Sequence, residues 1–232
     1  MALIKYGGGI VQMSGSIAGN TYARNRYGNY CRARTKPTNP NTTRQQAVRD
    51  AVAFLVERWA AVLTSAQRAA WALYGTNVAM KNKLGESVKL SGINHYVRSN
   101  AHLARQGGTI VDAGPVIFEL PEKDPTLGVT ASEATQQLSV SFDDGFDWCS
   151  EDDAWMIIYQ GQPQNPQRNF FNGPWRKIAQ YAGNSGTPIT SPQLSGVQFA
   201  ISEGQRQWIY ARILRADGRL SESMRVDCFV AA

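Results

Sequence analysis

The residue types that could do chemistry are few. His95 and His102 stand seven positions apart in a helical stretch, so they share a face about two turns, roughly 10 Å, apart. That is too far for one metal ion, and no cysteine or carboxylate joins them at ligand spacing. Two histidines on a helix surface are the expectation. "DDGFDWCSEDD" gathers Asp143, Asp144, Asp147, Glu151, Asp152 and Asp153. Oxygen-rich loops bind calcium, but this spacing does not match the twelve-residue EF-hand. A solvated acidic loop is expected, with calcium the open alternative. A glycosidase needs two carboxylates at a fixed separation, which this loop does not set. "YGGGI" and "MSGSIAG" lack a phosphate-loop lysine and a following helix, and no G-x-S-x-G elbow is present. We therefore expect no enzyme, no cofactor and no metal.

Function competes seriously with structure in "GNTYARNRYGNYCRARTKP", residues 19–37. The stretch alternates like a strand pair and carries Tyr22, Arg24, Arg26, Tyr27, Tyr30, Arg32 and Arg34 with hardly a large aliphatic side chain. A type II′ turn at Gly28-Asn29 would pair Tyr27 with Tyr30, Asn25 with Arg32 and Ala23 with Arg34. Neither face would then be apolar enough to sit on a core. An isolated hairpin is marginal in water, so its order must come from elsewhere. Interleaved Arg and Tyr suit an interface between proteins. The alternatives are nucleic acid, with arginine on phosphate and tyrosine on bases, and plain solvated strand.

Around this arm the elements follow from periodicity. Leu3–Tyr6 and Ile10–Met13 are further short strands. After Pro37 and Pro40, Thr42 or Thr43 caps a helix with Gln45 or Gln46 closing the box. Val48, Ala51, Val52, Leu55, Trp59 and Val62 recur at helical spacing as its inner face. Thr64 and Gln67 start a second helix, expected as an antiparallel partner of the first. "KNKLGESVKL" reads as a small hairpin around Gly85, and a third helix begins at Ser91. Proline, glycine and charge then mark a linker over 109–130. Beyond it, "QQLSVSF", "AWMIIYQ", "WRKIAQYAG", "VQFAIS" and the long run through Asp217-Gly218 predict a β-sandwich of about seven strands. The expected plan is α+β: a basic β-hairpin arm (1–36), a helical domain (37–108), a linker (109–130) and an all-β sandwich (131–232).

Charge divides along the same line. Residues 1–110 hold 15 Lys+Arg against 3 Asp+Glu, and residues 111–232 hold 9 against 15, within a net charge of +6. The first part is expected to meet something acidic and the second to face water. Cys31, Cys149 and Cys228 are an odd, scattered set, which argues against a disulfide framework. The start "MALIKYGGGIVQM" has no signal-peptide pattern, and no run approaches the ~18 apolar residues of a membrane span. Synthesis in the cytoplasm without an export signal is the expectation.

The words "GSIAGNTYARNRYGNYCRARTKPTNPNTTRQQAVR", "LTSAQRAAWALYG" and "NKLGESVKLSGINHYVRSN", covering roughly residues 14–106, resemble proteins of tailed-phage and prophage genomes described as virion structural proteins. The C-terminal pattern resembles a fibronectin-III or immunoglobulin-like module. The resemblance brings no catalytic residues. It implies a capsid-decorating, neck or tail component of a virion assembled in host cytoplasm, whose partners are copies of itself or other virion proteins, with no membrane or small-molecule substrate. Its arm would add strands to a neighbour's sheet. Two other classes stay open: a nucleic-acid binder using the basic half, and a carbohydrate-binding adhesin presenting Trp148, Trp175 or Phe171 in loops.

Overall fold

The computed structural model describes residues 2–82 and 84–232. Met1 of the expected arm and Lys83 of the expected Gly85 hairpin lie outside them. The chain mixes α and β and divides into two units, Met1–Phe118 and Glu119–Ala232. The division falls inside the stretch expected to be linker.

The first unit opens with a four-stranded antiparallel sheet of order β1-β4-β3-β2, where β1 is Ala2–Leu3, β2 Gly15–Ile17, β3 Asn20–Asn25 and β4 Gly28–Ala33. The strands differ from expectation in two ways. Ile10–Met13 is not a strand; Gly15–Ile17 takes that place, and the first strand stops at Leu3. The β3–β4 register is also shifted, pairing Asn25 with Gly28, Ala23 with Tyr30 and Thr21 with Arg32. The turn therefore lies at Arg26-Tyr27, not at Gly28-Asn29. The reason is local. The Asn25 side chain accepts the Tyr27 N–H at 2.9 Å, and Gly28 takes φ +117° at the fourth turn position. Asparagine at the first position and glycine at the fourth are type I turn preferences.

Helices α1 (Thr43–Ala61), α2 (Ser65–Asn77) and α3 (Gly92–Ala104) follow. Thr42 with Gln45 and Thr64 with Gln67 form reciprocal capping boxes, which satisfy N–H groups the helices cannot satisfy themselves. Packing departs from the expected α1–α2 pair: α3 lies against both and joins them. Tyr96 of α3 stands between Trp59 of α1 (ring centroids 5.4 Å) and Trp71 of α2 (5.7 Å). Tyr96 and Trp71 are fully buried and Trp59 half-buried; fully burying a large apolar side chain stabilises by about 1.5–3 kcal/mol. Gly75 and Gly92 permit the close approach at α2, because a Cβ on either would fall 2.6 Å from backbone, at Leu90 O and Ala72 N respectively. His95 and His102 are buried in this layer, not on a helix surface as expected. Between α2 and α3 run the paired strands β5 (Ala79–Lys81) and β6 (Ser87–Lys89). No helix among the described residues is long and apolar enough to cross a membrane.

After α3 the chain is fastened to the helices. The Asn100 side chain acts as a strand partner to Val111, donating to its carbonyl at 3.0 Å and accepting its N–H at 2.9 Å. The Asp112 carboxylate accepts from Arg58 and Tyr96, and Trp71 Nε1 donates to Asp112 O at 3.0 Å.

The second unit is a large sheet of order β10-β9-β12-β13-β7-β8-β11 that curls nearly into a barrel. Its strands are β7 (Gly128–Ser132), β8 (Gln137–Ser141), β9 (Trp155–Gly161), β10 (Trp175–Ala182), β11 (Gln193–Gly196), β12 (Arg206–Leu214) and β13 (Met224–Ala231). All neighbours are antiparallel except β13 with β7. Period-2 alternation on β12 turns Ile209, Ala211 and Ile213 into a core with Leu138, Val140, Trp148, Met156 and Ile158. "VQFAIS", expected as a strand, is not one. Two glutamines, Gln160 buried and Gln136 half-buried, take its backbone groups instead. Gln160 accepts from the N–H of Gln198 and Phe199 and donates to Phe199 O, and Gln136 both accepts from and donates to Ile201. With its polar groups satisfied by side chains, the segment needs no strand partner.

Candidate interaction surface

The seven candidate residues all lie in or beside the first sheet, and the shifted register decides how they are presented. Residues opposite one another share a face. Tyr30 and Arg32 stand on one face with Leu3, Ala23 and Thr21; Tyr22 and Arg24 stand on the other with Ala2, Cys31 and Asn29. Arg26 and Tyr27 form the turn, and Arg34 follows β4, its N–H donating to Gly19 O at 2.8 Å. The arginines are thus not gathered on one side. Arg24, Arg32 and Arg34 are exposed and make no ion pair among the described residues.

Among the described residues, the side-chain bonds that fasten the sheet to the rest of the unit lie at its turn end. Arg26 Nε donates to Lys89 O at 2.9 Å, Asn82 Nδ2 donates to Tyr27 O at 3.1 Å, and Lys5 pairs with Glu86 at 2.7 Å. All three contacts reach the β5–β6 hairpin. A recess of about 290 Å³ lies there, lined by Ile4, Tyr6, Asn29, Leu84 and others. No described residue before Ala51 is buried, although Thr21, Tyr22 and Ala23 of β3 and Gly28, Asn29, Tyr30 and Cys31 of β4 are half-buried. The expectation that no face could sit on a core agrees with this, but the strand pair does lean on its own chain through its turn.

Sequence reasoning missed two apolar features. Val11, on the run between β1 and β2, is 90% exposed, and Ile17, at the end of β2, is 63% exposed. On α1, only Ala51 and Leu55 of the expected inner face are buried; Val48, Val52 and Val62 are exposed, together with Phe54 and Val56. The signal was present in the letters, since apolar positions cover too wide an arc of α1 for one face. A single stripe does not need both Val48-Val52-Val56 and Ala51-Leu55-Trp59.

The acidic loop of the second unit is largely exposed, with Asp143, Asp144, Asp147, Asp152 and Asp153 all open to solvent, and several of its carboxylates also hold the loop's own backbone and neighbours. Asp143 and Asp144 accept the N–H of Gly145 and Ser191, Asp152 accepts from Ser185, and Glu151 pairs with Arg215. Ser185 holds the Asp152 carboxyl below its ordinary range. Trp148 and Cys149 of the same loop are buried, and burial raises the Cys149 thiol to about 12. No group of three or more potential metal-binding side chains occurs among the described residues. Of the aromatics expected as stacking platforms, Trp148 and Phe171 are buried. Trp175 is half-buried, packed edge-on to Phe171 at 4.9 Å and tilted on Tyr210 at 5.5 Å. Gly161 makes room for Phe171, whose ring a Cβ there would meet at 2.5 Å. These rings serve packing, which removes the adhesin platforms.

No protein-family model matches the chain, and no characterised protein matches it. Among solved structures it is similar to a family 76 glycoside hydrolase from a bovine Bacteroides thetaiotaomicron strain, at 14% identity and a TM-score of 0.33. That likeness covers 48% of this chain and 21% of the hydrolase. At this level it carries no argument about fold or activity.

Proposed function

We propose that the chain is a non-enzymatic structural protein of a tailed-phage virion, a capsid-decorating, neck or tail component. It assembles through its basic N-terminal sheet and helical layer and presents an immunoglobulin- or fibronectin-III-like sandwich. The observation that carries the proposal is the first sheet. Four strands are ordered with no buried residue among those described before Ala51, and the side-chain bonds that fasten them to the unit lie at one end. A sheet without a core is stable when another molecule covers it. β1 and β2 are the outer strands of this sheet, the edges to which a neighbouring subunit could add a strand, with main-chain bonds supplying affinity.

The strand order of the second unit supports the sandwich reading. Within the one seven-stranded sheet, the single parallel pairing, β13 with β7, joins an antiparallel half β11-β8-β7 to an antiparallel half β10-β9-β12-β13. The chain switches halves after β8, β10 and β11, as Greek-key sandwiches do.

A chain lacking residues 1–36 should keep its second unit folded and fail to enter particles. Normal incorporation of the truncated chain would refute the proposal. The distribution of cations weighs against the nucleic-acid alternative. A strand-tracking groove needs its cations on one side, whereas Arg24 and Arg32 lie on opposite faces. DNA binding that saturates and falls steeply between two salt concentrations would reverse that ranking.

A further inference from the structure

Among the described residues, the outer face of α1 is left exposed by its own unit. Val48, Val52, Val56 and Ala60 form one row at i+4 spacing, and Arg49, Ala53 and Glu57 form the next; together they line a shallow concavity. Val48 and Val56 are each 44% exposed and Val52 37%. These rows are distinct from the inner residues Ala51 and Leu55, which face the core. Two adjacent i+4 rows are the ridge and groove that pack helix on helix.

We infer that this face pairs with the same face of a second copy of the chain, two α1 helices lying antiparallel about a two-fold axis at Ala53. The charges specify the occupant. Arg49 lies four residues before Ala53 and Glu57 four residues after it, about 6 Å to either side. A two-fold axis there brings Arg49 of one copy level with Glu57 of the other, twice over, as a self-complementary interface requires. A parallel pairing would set Arg49 against Arg49 and Glu57 against Glu57. Glu57 makes no ion pair among the described residues, so it is available. Arg49 is engaged within its own chain, its guanidinium donating to Asn39 at 2.7 Å and to Asn41 at 3.1 Å, so it meets Glu57 of the other copy with its remaining N–H donors. Ala53 at the axis offers only a methyl group, so the two backbones can approach. Val52 and Val56, both on one flank of Ala53, then meet the same pair of the other copy along that flank. This pairing does not depend on the virion proposal or on the N-terminal sheet.

Sedimentation velocity of the full chain across a concentration series tests the inference. The wild type is expected to be dimeric. Glu57→Arg and Arg49→Glu should each weaken the dimer about tenfold by turning two attractions into repulsions. Mixing these two variants should restore association, as should Arg49→Glu/Glu57→Arg in one chain. Val52→Asp/Val56→Asp should be monomeric with an unchanged helical circular-dichroism signal. A wild type that stays monomeric at about 100 µM, in the weak-dimer range, would overturn the inference. So would a dimer indifferent to both the charge and the valine substitutions. A dimer that also survives removal of residues 1–36 would leave the inference standing whatever becomes of the assembly role of the sheet.

Discussion

Arg58 of α1 grips the Asp112 carboxylate with two parallel hydrogen bonds, Nε to Oδ1 at 2.8 Å and Nη2 to Oδ2 at 2.5 Å. This pair joins the first helix to the segment that follows the third, 54 residues later. Tyr96 donates its hydroxyl to the same carboxylate at 3.0 Å. The Arg58 bonds hold the Asp112 carboxyl below the usual carboxylate range, and burial with the Asp112 bond pushes the Tyr96 phenol up.

Asp112→Ala should therefore destabilise the helical unit by about 2–4 kcal/mol, because a guanidinium and a phenol lose their acceptor together. Urea unfolding followed by the far-ultraviolet helical signal reads this directly, since the described α-helices all lie in the first unit. The carboxyl's lowered value adds a pH signature. Its contribution is complete above the unfolded value of about 3.9 and disappears as pH falls through the folded one. The variant should lack that acid-limb loss.

His95 gives a separate signature at higher pH. It is fully buried, edge-on to Tyr74 at 4.9 Å, and desolvation with the nearby Arg98 charge lowers its value from 6.5 to about 4. Unfolded chains take up this proton below pH 6.5 while the folded chain does not. Stability should then decline between pH 6.5 and 4 by about 3 kcal/mol and level off below. His95→Phe should flatten that interval. An unchanged slope in the variant would show that another group sets it.

Gly92 tests the close approach of α2 and α3. Gly92→Ala should cost about 1–3 kcal/mol or more, since the new methyl group meets backbone that has no rotamer by which to retreat. Thermal unfolding of the variant should occur several degrees below the wild type. Equal midpoints would mean that the helices separate without penalty.

These glycines mark what the sequence could and could not reveal. Capping boxes at Thr42 and Thr64 were legible because Thr-x-x-Gln signals depend on four consecutive residues. The register of β3 and β4 was not, because Asn25 and Gly28-Asn29 offer competing turn signals. Asn25 with Gly28 prevails through one side-chain bond. The "VQFAIS" strand failed for a longer-range reason. Gln136 and Gln160, far away in the chain, claim its backbone, and local alternation carries no trace of them. That the first sheet buries no residue was foreseeable, because composition alone denies it an apolar face. The second apolar face of α1 was visible but was folded into the inner one, since periodicity finds an arc without saying how many partners share it.

Gln160→Leu should release the 198–199 segment by leaving two backbone N–H groups and a carbonyl without partners, at about 1–3 kcal/mol. Amide exchange of Gln198 and Phe199 should accelerate far more than that of β12. Uniform acceleration across the second unit would instead indicate global destabilisation.

Amide hydrogen exchange over residues 15–33, compared between the isolated chain and the assembled particle, tests the central claim most directly. On the proposed assembly role, rapid exchange in the isolated chain and strong protection in the particle are expected, because the first sheet would complete its order against a neighbour. Protection in the isolated chain equal to that of the helices, or rapid exchange that persists in the particle, would contradict the account.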